Sequence, residues 1–178
     1  MKYIIFSDIH GSASRLKKIL HIFEQENCDQ MIILGDILYH GPRNDLPEGH
    51  APKEVVQLLN AHKDQIICVR GNCEAEVDQM VLQFPCMDTY VRLIEGHQTL
   101  FLTHGHHYHP ENLPTLKEGD IFFYGHTHLW ELNQKQGVYI CNPGSISLPK
   151  QNRPATYAIY DEGKISIYTL EGECLARS

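Results

Sequence analysis

Short apolar runs alternate with helical spacings through the first half of the chain. Tyr3-Ile4-Ile5-Phe6 is unbroken and short, which predicts a strand buried on both faces. Ser12-Ala13-Ser14 follows, where a serine can cap a helix, and Leu16, Ile19, Leu20 and Phe23 then fall at i, i+3, i+4 and i+7. Met31–Leu34 predicts the second strand. A loop containing Gly and Pro runs from Tyr39 to Ala51, and Pro52 opens a helix carrying Val55, Val56, Leu58 and Leu59. Ile66–Val69 predicts the third strand, and this order is that of a parallel α/β sheet. The second half is richer in strands. Val91–Ile94 and Thr99–Leu102 read as a hairpin turning at Glu95-Gly96-His97. Ile121–Tyr124, Val138–Cys141, Thr156–Tyr160 and Ile165–Leu170 are further strands. No linker, repeat or low-complexity tract interrupts them, so the pattern predicts one domain over residues 1–178 with strands enough for two packed sheets.

Five of these runs end in residues of one chemical kind. They lead into Ser7-Asp8-Ile9-His10, Gly35-Asp36, Arg70-Gly71-Asn72-Cys73, Thr103-His104-Gly105-His106 and Gly125-His126-Thr127-His128. Ligands of open α/β sheets bind beyond the carboxyl ends of strands, so these exits bring Asp8, His10, Asp36, Asn72, His104, His126 and His128 to one edge. Carboxylate, carboxamide and imidazole without thiolate suit Mn, Fe, Zn, Co or Ni better than a structural zinc knot. So many groups exceed the needs of one tetrahedral ion. They suit two divalent ions about 3.5–4 Å apart, bridged by one carboxylate.

Composition narrows the function. Of the 12 histidines, six lie between His104 and His128, whereas His21, His40, His50, His62 and His97 are scattered and read as ordinary residues. Fifteen Lys+Arg against 22 Asp+Glu leave a net charge of -7, which argues against stable nucleic-acid or anionic-membrane binding and leaves room for a small phosphorylated substrate. The six cysteines include no C-x-x-C pair and read as free thiols, with Cys68 and Cys141 buried. The apolar run after Met1 is too short for a signal peptide or a membrane span, so a cytoplasmic protein is expected.

The ordered set Asp-x-His, Gly-Asp, Gly-Asn, His-Gly-His and Gly-His-x-His resembles the calcineurin-like metallophosphoesterases. The stretches DIHG, LGD, RGNCE, THGH, YGHTH and CNPGS resemble in particular the small bacterial YfcE-type phosphodiesterases, over Met1 to Lys150. The resemblance implies an α/β/β/α fold, a sandwich of two β-sheets flanked by helices. It implies Asp8, His10, Asp36 and His128 as ligands of one metal and Asp36, Asn72, His104 and His126 as ligands of the other, with Asp36 bridging. The implied cofactor is two divalent ions per chain, manganese first, with zinc, iron, nickel or cobalt as alternatives. The implied reaction is hydrolysis of a phosphate ester by a hydroxide bridging the metals, in which Asp36, Asn72 and His104 belong to the catalytic set.

Arg43 and Asn44, in the loop after the second strand, and Cys73, beside Asn72, are assigned to the substrate pocket. Many members of the superfamily have His after the metal-binding Asn, as proton donor to the leaving group. A thiol near pKa 8.5 is a poor replacement at neutral pH, so weaker action on poor leaving groups is expected, and His106 or His107 is left open as the acid. The expected function is a binuclear phosphodiesterase acting on a small phosphodiester or nucleotide. The rival is a binding subunit without catalysis: the Vps-type retromer relatives are scaffolds that have lost ligand positions, and this chain, which keeps every one, would be a metal-stabilised scaffold. A nuclease is disfavoured by the acidic charge. A homo-oligomer is a weaker expectation.

Overall fold

The first three expected strands form as read and lie side by side. A computed structural model describes Met1–Ser178. In it β1 (Lys2–Phe6), β2 (Gln30–Ile33) and β3 (Ile66–Cys68) pair in parallel, because α1 (Ala13–Gln25) and α2 (Pro52–Asn60) supply the crossovers. Ser12 caps α1 by accepting from the Arg15 amide, and Pro52 opens α2. A third helix, α3 (Glu76–Val81), follows β3. It escapes the periodicity because Val77, Met80 and Val81 point outward rather than into the core.

The second sheet holds β4 (Tyr90–Glu95), β5 (Gln98–Thr103), β6 (Ile121–Phe123), β7 (Glu131–Lys135) and β8 (Val138–Asn142), in the order β4-β5-β6-β8-β7. β9 (Thr156–Asp161), β10 (Lys164–Thr169) and β11 (Cys174–Arg177) then return to the first sheet, whose order is β11-β10-β9-β1-β2-β3. The expected hairpin is β4–β5, with Glu95 paired to Gln98 across a turn at Gly96-His97. The pattern does not predict β7 or β11. Both are edge strands with polar or half-exposed residues, and an edge lacks the two-sided burial that makes a strand visible in sequence.

Three apolar layers result. Phe6, Leu16, Ile19, Ile33 and Val55 pack the helices on the first sheet, and Ile5, Ile32, Leu102, Phe123 and Ile165 fill the space between the sheets. Phe101, Phe122 and Ile140 form the outer face of the second sheet, where Tyr108, Leu113 and Leu116 cover them. The expected two-sheet sandwich is therefore present, but its fourth layer is an irregular segment between β5 and β6 instead of a helix. Cys68 and Cys141 are buried thiols as expected, and all six cysteines are free. No helix is long and apolar enough to cross a membrane.

Candidate functional site

Strands β1, β2 and β3 run parallel in one sheet, and β5, β6 and β8 run parallel in the other. Their carboxyl ends meet at one end of the sandwich. Leaving a strand there requires a sharp turn, and Asp8, His10, Asp36, His126 and His128 all take positive φ, between 48° and 67°. Such a backbone costs a side-chain-bearing residue about 1–2 kcal/mol, and strain of this kind concentrates at functional sites. The exits are laced together. The amides of Asp8, His10 and Gly11 donate to the carbonyls of Gly35, Asp36 and Ile37 at 3.1, 2.9 and 2.8 Å, and the His126 amide donates to Asp8 Oδ2 at 3.1 Å.

The hydrogen bonds of three imidazoles fix which ring nitrogen carries the proton. His10 Nδ1 donates to Tyr39 O at 2.7 Å, His128 Nδ1 to Leu148 O at 2.6 Å and His104 Nδ1 to Leu34 O at 2.7 Å. A carbonyl oxygen only accepts, so each neutral ring keeps its Nε2 as a lone pair. Those lone pairs converge. His10 Nε2 lies 3.3 Å from His128 Nε2, and both face Asp8 Oδ1 at 3.5 and 3.2 Å. His104 Nε2 faces Asn72 Oδ1 at 3.0 Å and Asp36 Oδ2 at 3.5 Å. Asp8 Oδ1 is buried without a hydrogen-bond donor. Acceptors crowded against acceptors need a shared positive charge, and a divalent cation with N and O ligands meets that need.

The electrostatics agree. Burial pushes the Asp8 carboxyl up, but the adjacent His10 and His128 rings and the charge of His104 outweigh it and hold the group well below the usual carboxylate range. Asp36 behaves alike: burial raises it, its bond to His104 lowers it, and the net direction is down. Without metal, the compensating charge falls on imidazoles. Burial opposes protonation of His104, yet the bond to Asp36 and both carboxylates raise it to about 9. His104, raised above its unfolded value near 6.5, stabilises the metal-free fold fully below about pH 6.5 and loses that contribution as pH rises through about 9. The melting-temperature gap between metal-stripped wild type and His104→Gln is therefore expected to narrow by several degrees from pH 6 to pH 9.5. A thermal-shift series in chelator checks this, and a gap that widens would contradict it.

The structure brings Asp8, Asp36 and His104 together in one buried group and Asp8, His10 and His128 in another. Asn72 is at the solvent rim beside His104, and the His126 ring is half-buried, with its centroid 5.0 Å from that of His104. Arg43, Asn44 and Cys73 line a cleft of about 300 Å³ with Asp36, His126 and Lys150. Cys73 Sγ sits 3.2 Å from Asp36 Oδ2. His109 points away and pairs with Glu111 at 3.0 Å, while His106 and His107 line a neighbouring hollow.

Several supporting residues are invisible to the sequence reading. Glu74 is 3% exposed, and its carboxylate accepts from the backbone amides of Asp36, Ile37 and Gly71, which ties the β2 exit to the β3 exit. Ser145 and Ser147 hydroxyls both donate to Asp8 O at 2.9 Å. Gly71 admits no side chain, since a β-carbon there would overlap Asp36 Oδ1. Glu74 and Ser145 lie inside RGNCE and CNPGS, but their residue types alone carry no hint of these bonds. Lys150 stands outside any motif.

Comparison with known proteins agrees with this geometry. Residues 1–164 match the family model of the calcineurin-like phosphoesterase superfamily domain. Phosphodiesterase YfcE of Escherichia coli K12 is 45% identical over 175 residues, which cover 98% of this chain and 95% of that protein. A solved structure of that E. coli phosphoesterase superposes with a TM-score of 0.98, covering 100% of this chain and 98% of the other. Vps29 from Entamoeba histolytica, 19% identical, shares the fold with a TM-score of 0.65 over 100% of this chain and 98% of its own. The chain belongs to the calcineurin-like phosphoesterase superfamily.

Proposed function

We propose that this chain, as one domain over residues 1–178, is a phosphodiesterase that hydrolyses a small phosphodiester or nucleotide with two divalent ions. The observation that carries the reading is a pair of adjoining clusters of unprotonated acceptors: the Nε2 atoms of His10 and His128 on the donor-less Asp8 Oδ1, and His104 Nε2 on Asp36 and Asn72. The likeness to a named phosphodiesterase at 45% identity supports it. Asp8, His10, Asp36 and His128 would hold one ion and Asp36, Asn72, His104 and His126 the other, with manganese the first candidate. When bound, such a pair supplies hydroxide near neutral pH and neutralises charge developing on the phosphoryl oxygens.

The chain's own residues do the rest. The carbonyls of Tyr39, Leu34 and Leu148 hold the proton of each imidazole on Nδ1, so Nε2 stays free as donor to a metal. Arg43, Asn44 and Lys150 line the open side of the cleft, and neither Arg43 nor Lys150 is engaged in an ion pair. They bind and orient the phosphate oxygens through charge-assisted bonds. Burial and the neighbouring Asp36 push the Cys73 thiol up, so it is a neutral wall of the pocket and not a thiolate nucleophile.

Metal-stripped protein given bis(p-nitrophenyl) phosphate or p-nitrophenyl phosphate tests the reading, with Mn, Zn, Ni or Mg restored singly. Diester cleavage is expected to rise at least about a hundredfold with the preferred ion. Two bound ions without turnover of either ester would overturn it in favour of a metal-stabilised binding subunit.

A further inference from the structure

Next to the metal cleft lies a second hollow of about 300 Å³, lined by neither Arg43 nor Lys150. Arg70, Thr89, His106 and His107 line it with Gly71 and Asn72, and no carboxylate or apolar side chain faces it. Asn72 belongs to both this hollow and the metal cleft.

Arg70 is half-buried and makes no ion pair. Its backbone amide donates to Asp88 O at 2.8 Å, and Nη2 donates to Glu74 O at 3.0 Å, so the head group is anchored on a neutral carbonyl. Like Arg43 and Lys150 in the neighbouring cleft, and unlike Lys2, Arg15, Lys17 and Lys18, it has no glutamate partner. A guanidinium has five donors in a planar fork, and here one is used within the protein. Beside it the His106 and His107 rings lie with centroids 4.0 Å apart, tilted 44° to one another, and His106 Nδ1 is buried without a partner. A fixed, unpaired guanidinium with neighbouring polar rings is a site for a planar or tetrahedral oxyanion.

We infer that this hollow is a subsite for a second phosphoryl group of the substrate, which places the natural substrate among phosphodiesters that carry a further phosphate. The inference rests on the phosphodiesterase reading, because it takes the scissile phosphate to sit at the metal cluster across Asn72. The tether between the two phosphates must pass that residue, so binding depends on its length.

Calorimetric titration of manganese-loaded protein with propyl phosphate and with α,ω-alkanediol bisphosphates of two to six carbons tests this. One chain length is expected to bind about tenfold tighter than propyl phosphate. Arg70→Gln should bring that ratio to about twofold or less, and Arg70→Lys should recover part of it. Thr89→Val, which leaves the Arg70 bond to Glu74 O in place, should lower the ratio too and keeps the test open if Arg70→Gln folds poorly. A ratio near one at every length in the wild type would overturn the subsite. So would a ratio that survives both substitutions, or one lost instead in Lys150→Met, which would put the second phosphate in the Arg43 cleft. A free phosphate site unconnected to the substrate would show no dependence on chain length, and that too overturns the inference. Because the readout is binding, an absence of diester turnover strikes the underlying reading and leaves this result separately legible.

Discussion

Asp36→Asn should abolish phosphodiester hydrolysis, with kcat falling at least about a thousandfold, or about 4 kcal/mol of transition-state stabilisation. Asp36 reaches imidazoles of both clusters: Oδ2 lies 3.5 Å from His104 Nε2 and 3.8 Å from His10 Nε2. Asparagine keeps the shape and can still accept from the Cys73 amide, which now reaches Oδ1 at 2.9 Å. It loses the charge that a bridging ligand needs, and its amide donors face a place where lone pairs are required. The fold should survive. The bond to His104 holds the Asp36 carboxyl below its ordinary range, so its charge favours the metal-free fold and the metal-free variant is expected to melt a few degrees lower than metal-free wild type. Manganese should then raise its melting temperature far less than it raises that of the wild type. Rate, metal content and melting temperature together check this. A variant that holds two ions and turns over normally would remove Asp36 from the bridging role.

Glu74→Ala should cost about 4–6 kcal/mol, most or all of the stability of a domain this size. Its carboxylate is the acceptor for three buried backbone amides, those of Asp36, Ile37 and Gly71. Alanine leaves all three without a partner and opens a void where the side chain was. Each unmet buried donor costs about 1–3 kcal/mol, so the loss outweighs the relief of a carboxyl that burial and the nearby Asp36 push upward. Glu74→Gln should lie between, at about 2–3 kcal/mol, because one amide oxygen remains to accept. The weaker variant is the more informative. It should fold yet bind metal poorly, since the exits of β2 and β3 lose the clamp that sets the spacing of Asp36 and Asn72. Urea unfolding followed by circular dichroism gives the stability, and metal titration gives the site. A Glu74→Ala midpoint close to wild type would show that the three amides find other partners.

Much of this protein is readable without coordinates. The runs at Tyr3–Phe6 and Met31–Leu34 are buried on both faces, which leaves an unbroken apolar signature, and Ile66–Val69 carries the same apolar run although β3 is a half-buried edge strand. The helix at Leu16–Phe23 shows its inner face at 3.6-residue spacing. Asp8, His10, Asp36, Asn72, His104, His126 and His128 stand out because each follows a strand, and chain order alone places them at strand exits. The segments that escape notice have a weaker signature. β7 and β11 are half-exposed edges, and α3 turns its apolar side outward. The helix-free fourth layer is unreadable because Tyr108, Leu113 and Leu116 cover the outer sheet without any period.

The chain order by itself determined an α/β domain with strands enough for two sheets and singled out the candidate metal ligands, because burial periodicity and residue chemistry are local properties. Tertiary structure alone decided how they meet. Which ring nitrogen of His10, His104 and His128 is free depends on carbonyls 29, 70 and 20 residues away. That Glu74 clamps two loops, that Lys150 joins Arg43 in one cleft and that Arg70 stands unpaired in another are likewise facts of long-range contact. A hydrogen bond acts over about 3 Å in space, and only folding brings residues remote in sequence within that range.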